Sequence, residues 1–290
     1  MSIIGSMEAT PSRVRLLVSV LSERTSGETP ERLLAFCSPK PLWRNVAEPT
    51  VIFRQTLKAA KDLRLIEEEG DKLRLTSSLS SRREFTEATF LASLEAVLLP
   101  VSAPDDDGEA AFARAIAWFL MQSVKLPLQF GVTKKDDIQK QLGDEGDVYD
   151  LTNKDRWNAF TYWCRYLGFG EALAARSMVP DPTVALRRLL PRVFSKGQEA
   201  PIGTFLQSLA SVSPVFEEGR VRSEVEGRCR PAFARQPQRL SQSTSFALIR
   251  LEQLGLIHLD ARADAQAMVM DFGADAPRRL SRVIYKGERA

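Results

Sequence analysis

Between Thr50 and Thr76 the spacing of apolar residues changes from helical to alternating, and no other stretch restricts the fold as much. Val51, Leu57, Ala60, Leu63 and Leu65 recur at roughly helical intervals, leaving Arg54, Gln55, Lys58 and Lys61 on the opposite side. Thr50, just after Pro49, has a hydroxyl able to accept a free backbone N–H at the helix start. From Leu65 the period is two: Leu65–Glu69 and Lys72–Thr76 flank Gly70-Asp71, the pattern of a hairpin around a tight turn. Two shorter helical patterns, Arg13–Ser22 and Thr29–Phe36, come before it, the second with Thr29 as cap and Pro30 at the first helical position.

The end of the long helix is written three times, as AAKDLRLIEEE at 59–69, YWCRYLGFGEA at 162–172 and IRLEQLGLIHL at 249–259. Each version has a Leu, a kink residue or Gly, and then an apolar pair that opens a strand. The hairpins that follow are expected at 65–76, 169–179 and 256–272, and an apolar first helix lies upstream of each, around Val14–Leu21, Phe112–Met121 and Ile202–Val212. Helix, helix, long helix, hairpin is the order of a winged helix-turn-helix, a family that the first stretch resembles closely. The expected fold is mainly α with small β-wings, as two or three tandem winged-helix domains. The boundaries fall into an N-terminal winged helix over 1–83 and a docking helix and linker over 84–107. A middle helical domain over 108–195, a second winged helix if the repeat extends that far, and a C-terminal winged helix over 196–290 complete the chain.

A chain of 290 residues has room for two or three cores. Its net charge is only +3, from 40 basic and 37 acidic residues, so any basic surface must be local. Cys37, Cys164 and Cys229 are far apart and odd in number, which suits unpaired thiols in a reducing compartment. Apolar runs are broken by charge or Pro well before the ~18 residues a membrane span needs. The opening MSIIGSMEATPSR lacks the basic leader and long apolar core of a signal peptide, so the expected location is the cytoplasm, with no membrane partner.

Little in the sequence can do catalysis. His258 is the one histidine, on an expected wing strand, and offers nothing to a triad or a two-His metal site. Neither GxxxxGK[ST] nor GxGxxG occurs, so no standard phosphate cradle is present. Asp105-Asp106-Asp107 reads as a solvated linker with no distant catalytic partner. The expectation is a non-enzymatic protein with no cofactor and no metal.

Nucleic-acid binding is what the winged-helix resemblance implies, since the third helix of that fold enters the major groove. The groove-facing residues are then Arg54, Gln55, Lys58 and Lys61 in the first unit, and Gln242, Ser243, Thr244 and Arg250 in the last, with Arg262 on the last wing. Arg and Gln can read base edges, and Ser and Thr can bind phosphates. The middle unit's third helix is unusually aromatic, with Trp157, Phe160, Tyr162, Trp163 and Tyr166, and reads mainly as core, with an exposed stacking or partner surface as the alternative. From Arg220 to Arg250 there are seven arginines and two glutamates, the most basic stretch in the chain. The first wing is the opposite: Glu67, Glu68, Glu69 and Asp71 crowd the strand that would approach phosphate. Acidic wings suit winged helices that bind protein, as in the tandem winged-helix partners of bacterial condensin-like complexes.

The opening MSIIG…PSRVRLLVSVL, followed by ETPERLLAFCSP, resembles the start of the DpdG proteins. These accompany bacterial clusters that insert 7-deazaguanine bases into DNA and restrict foreign DNA. The resemblance implies an accessory subunit working on double-stranded DNA beside nucleases, helicases and modifying enzymes, and it offers no catalytic residue to carry over. A protein–protein adaptor and a transcription regulator remain the alternatives.

Overall fold

The computed structural model describes residues 3–43, 48, 50–80, 85–102, 107–143, 148–174, 176–271 and 277–287. Asp105 and Asp106 of the acidic loop, and most of the link after Trp43, lie outside the described residues. The described chain is mainly helical, with small antiparallel sheets.

Helix α1 (Pro11–Ser22) opens on a proline, whose missing N–H costs nothing at that position, and buries Val14, Leu17, Val18 and Leu21. Glu28 then forms an isolated antiparallel bridge with Leu73, through N···O distances of 3.0 and 2.8 Å. Helix α2 (Pro30–Cys37) is capped by Thr29. Helix α3 (Val51–Asp62) leads into strands β1 (Ile66–Glu69) and β2 (Lys72–Leu75), paired with Ile66 opposite Leu75. Strand β2 therefore lies between Glu28 and β1.

The buried face of α3 is turned from the one its apolar spacing suggests. Phe53, Thr56, Ala59 and Ala60 are buried, whereas Val51 and Leu57 are half-buried. Thr56 fits inside because its hydroxyl donates to the Ile52 carbonyl at 2.7 Å, which satisfies the polar group within the helix. Thr50 makes no side-chain cap. Arg54, Gln55 and Lys58 do face solvent.

A short helix α4 (Ser77–Ser80) precedes α5 (Glu87–Leu98), whose start is closed by reciprocal Thr86–Thr89 hydrogen bonds. Helix α6 (Asp107–Leu120), strand β3 (Leu128–Gln129), helices α7 (Lys135–Leu142) and α8 (Lys154–Tyr166), and strands β4 (Glu171–Leu173) and β5 (Ser177–Val179) follow. Their sheet has the order β3-β5-β4, so the expected hairpin at 169–179 is paired and its second strand is central.

Helix α9 (Thr183–Val193) connects to strand β6 (Glu199–Pro201), helices α10 (Ile202–Ala210), α11 (Arg220–Arg228) and α12 (Gln242–Gln253), and strand β7 (Ile257–Asp260). The hairpin expected over 256–272 does not form. Strand β7 pairs instead with β10 (Arg282–Tyr285), which also takes β6 on its other edge. Strands β8 (Met268–Met270) and β9 (Arg278–Leu280) make a separate pair. The alternation of the two strands matches: Ile257 and Leu259 of β7 are buried opposite the buried Tyr285 and Val283 of β10, so the pairing puts their apolar side chains on one face.

The repeated helix end is one backbone motif used three times. Arg64, Gly168 and Gly255 have φ of +54°, +82° and +73°. In each case the next residue's N–H reaches back five positions, from Leu65 to Ala60, Phe169 to Cys164 and Leu256 to Leu251, all at 3.0 Å. Gly168 is further constrained, because a Cβ there would lie 2.8 Å from the Ala185 nitrogen.

The pieces pack through one continuous core. Ile3 and Ile4 are buried against α6 and α8, and Trp163 donates to the Ala9 carbonyl at 3.1 Å. Tyr166 donates to Glu87, which also pairs with Arg15. Glu95 of α5 holds Arg188 and Arg192 of α9. On the far side Arg114 of α6 pairs with Glu224 of α11 at 2.8 Å.

Two substitutions check this packing. Leu63, 2% exposed, should cost about 2–5 kcal/mol when truncated to Ala, read from urea unfolding; a loss well below ~1 kcal/mol contradicts the register. Gly168→Ala should cost more than ~1 kcal/mol from left-handed strain alone, beyond the clash with α9.

Candidate nucleic-acid interface

The solvent face of α3 carries Arg54, Gln55 and Lys58, with Lys61 half-buried beside them. Its cations have acidic neighbours of their own. Arg54 lies 3.6 Å from Glu48, Lys58 is 2.9 Å from Asp62, and Lys61 pairs with Glu68 of the adjoining strand. Arg74 pairs with Glu69. Exposed pairs of this kind contribute little to stability, but they offset the field that would attract phosphate. Glu67 and Asp71 are exposed on the same hairpin.

The last unit departs further from the sequence expectation. Ser243 and Thr244 are not on a surface: they are 0% and 1% exposed, at the start of α12 beside the end of α6. Ser243 donates to the Leu120 carbonyl at 2.5 Å, and Thr244 donates to Glu217 at 2.7 Å. Gln242 accepts from Ser123 at 2.7 Å. Ser241 caps the helix, accepting from the Thr244 N–H, and gives both its own N–H and hydroxyl to Glu217 at 2.9 and 2.6 Å. Glu217 is fully buried; burial raises its pKa, yet Arg222 and these hydrogen bonds outweigh that and hold it below the ordinary carboxylate value.

Arg222 is itself buried, donating to Glu226 at 2.7 Å and to the Ala117 carbonyl at 3.3 Å. Arg235 joins Glu226 at 3.0 and 3.2 Å. The basic stretch is thus spent largely on ion pairs within the chain: Arg239 faces Asp271, and Arg250 pairs with the buried Asp181 while lying over the Phe246 ring. Arg262 is exposed but 3.1 Å from Asp260. A run of Ser and Thr at a helix start looks the same in sequence whether it meets phosphate or a buried carboxylate. Glu217, which decides the matter, is 24 residues before Ser241.

The middle unit divides its aromatic helix between core and surface. Trp157, Phe160 and Trp163 of α8 are buried, as expected of core aromatics, but Tyr162 is 45% exposed. Asn158, Tyr162 and Arg165 fall at i, i+4 and i+7, one stripe of the helix. They line one wall of an open groove of ≈ 710 Å³. The 129–132 segment and Arg176 of the β4–β5 turn line the rest of it. The walls are tied together: Trp157 Nε1 donates to the Gln129 carbonyl, Gly131 N–H donates to Asn158 Oδ1, and Phe130 N–H donates to the Arg176 carbonyl, each at 2.8 Å. Among the described residues no acidic side chain lines the groove, and Arg165 and Arg176 have no carboxylate within ion-pair distance. The i, i+4, i+7 polar–aromatic–basic spacing was the available signal.

No group of three or more His, Cys, Asp or Glu able to hold a metal occurs among the described residues, and no described helix is long and apolar enough to cross a membrane. A family model described as DpdG-like matches residues 1–265. The chain belongs to the DpdG-like family. The matched region takes in the middle groove and the whole Glu217 network, and stops short of β8. No curated protein matches the chain, and no solved structure does either.

The Glu217 network of this DpdG-like chain makes it acid-sensitive. For Glu226, too, burial raises the pKa, but Arg222 and Arg235 bring it below the ordinary value. Unfolded glutamates titrate near ~4.3, so on acidification the unfolded chain takes up protons before these sites do. The stability they supply is present above that pH and lost as pH falls through their lowered values. Urea midpoints measured from pH 7 down to pH 3 should decline accordingly. Glu217→Gln should cost about 1–3 kcal/mol at pH 7 and show a shallower decline; an unchanged slope would remove Glu217 from the account.

Proposed function

We propose that the chain is a non-enzymatic accessory subunit, built of winged-helix units in a row, that binds or positions DNA within a bacterial modification–restriction system. Support for the winged-helix reading comes from the repeated order. The first two units run helix, strand or bridge, helix, helix, strand, strand, with the last strand central. The third puts its first strand ahead of its first helix and again has the last strand central. Membership of the DpdG-like family supports the setting, since the proteins it resembles accompany clusters that insert 7-deazaguanine into DNA.

The observation that carries the DNA reading is the middle groove: a third helix and its wing turn, Arg165 and Arg176, and no lining carboxylate. The DNA contact then lies in the middle unit. The first unit's acidic wing favours a second role beside it, as the surface that meets another subunit of the complex.

A salt titration separates DNA binding from a pure adaptor. Each phosphate neutralised by a cation releases counterions, so log K falls linearly with log salt. With about four contacts the slope should be near −3 to −4 for a labelled duplex bearing an unpaired tail. Replacing both Arg165 and Arg176 by Ala should flatten it by about 1.4–1.8 units. Glu68→Lys and Arg250→Ala should leave it unchanged. Failure to bind at low salt removes the DNA reading and leaves the adaptor.

A further inference from the structure

Resting on that DNA reading, we infer that the groove takes single-stranded DNA, with an unpaired base stacked on Tyr162 and the neighbouring phosphates on Arg165 and Arg176. A helix that reads duplex DNA must enter a major groove about 12 Å wide, nearly its own diameter, so nothing can stand beside it at the same level. Beside α8 stands the 129–132 segment, fastened to it by the Gly131–Asn158 and Trp157–Gln129 hydrogen bonds, each 2.8 Å. The exposed stripe of α8 is therefore the wall of a trough. Its far end is also covered, since Tyr166 is bonded to Glu87 of α5.

A trough of ≈ 710 Å³ falls within the size range of sites for small organic ligands, about 300–1,000 Å³, which suits a nucleotide or two and excludes a duplex. Its lining is mixed in the way a strand requires. Tyr162 and Val132 are 45% and 51% exposed, and Phe130 is half-buried, so aromatic and apolar surface faces solvent without cover. Arg165 and Arg176 add positive charge with nothing internal to offset it. Aromatic platforms with cations alongside bind unpaired strands with little sequence preference, because every base has a face to stack. The walls are already bonded to one another before any ligand arrives, so little ordering cost remains on binding. In a system that acts on DNA, the strand exposed when a duplex opens is the ligand this chemistry fits.

The experiment uses the full chain and fluorescence anisotropy with a labelled 20-mer of thymidine, against a blunt duplex carrying the same number of phosphates. The single strand should bind at least tenfold tighter. Tyr162→Ala should weaken it about five- to hundredfold, while Tyr162→Phe, which keeps the ring, should stay near wild type. Arg165→Ala and Arg176→Ala should each flatten the salt slope by about 0.7, the single-strand value per contact. A strand carrying 2-aminopurine should be quenched on binding wild type and Tyr162→Phe, and not Tyr162→Ala. All of these side chains are exposed, so the variants test the surface and not the fold. Equal or tighter binding of the blunt duplex, an indifferent Tyr162→Ala, or a ribo-strand bound more tightly than the DNA strand would overturn the inference while leaving DNA binding in place. Loss of all DNA binding by wild type at low salt would remove both.

Discussion

One buried carboxylate sets how the second half of the chain is assembled. Glu217 has no contact with water, yet it stays charged because Ser241 and Thr244 donate to it and Arg222 lies close by. A buried charge without such partners would cost far more than the packing around it gains. Those donors sit on the first turn of α12, and Arg222 sits on α11 with its guanidinium on a carbonyl of α6. Satisfying one side chain therefore fixes three helices against each other. Polar networks of this kind specify a single arrangement where apolar packing alone would tolerate several.

That constraint also explains why the units differ in what they leave exposed. They share a helix end down to its backbone hydrogen bonds, but their third helices have diverged in surroundings. In the last unit the helix start is turned inward to hold the assembly. In the first it stays outside, with its cations facing their own carboxylates. In the middle unit the described surface combines an exposed aromatic ring, arginines without a carboxylate partner and a groove.

How much of this could be read beforehand depended on the distance over which each feature is decided. The left-handed residues at Arg64, Gly168 and Gly255 were legible because a helix stop is written within five or six residues. The solvent side of α3 was legible too, although Thr56 disguised the buried side by satisfying its hydroxyl within the helix. The partner of β7 was not, since β10 lies beyond an inserted strand pair and any apolar alternation nearer by looked equally suitable. The middle groove was hidden for a different reason. An aromatic-rich helix suggests core, and only the turn-by-turn placement of Tyr162 opposite Trp157, Phe160 and Trp163 shows that one ring is left over.

The docking of the chain's first described residues has a consequence for how the protein is made. Ile3, Ile4 and the carbonyl of Ala9 are covered by α6 and α8, and the Trp163–Ala9 hydrogen bond spans 154 residues. At ribosomal speeds of ~5–20 residues per second, the two isoleucines wait roughly 8–30 s for their partner helix to emerge. Until α8 has emerged, part of this apolar strap stays uncovered, the sort of surface that chaperones hold and that neighbouring nascent chains can capture. The first unit reaches its final position only when the middle one arrives, so synthesis of the groove-bearing unit and completion of its neighbour are a single event.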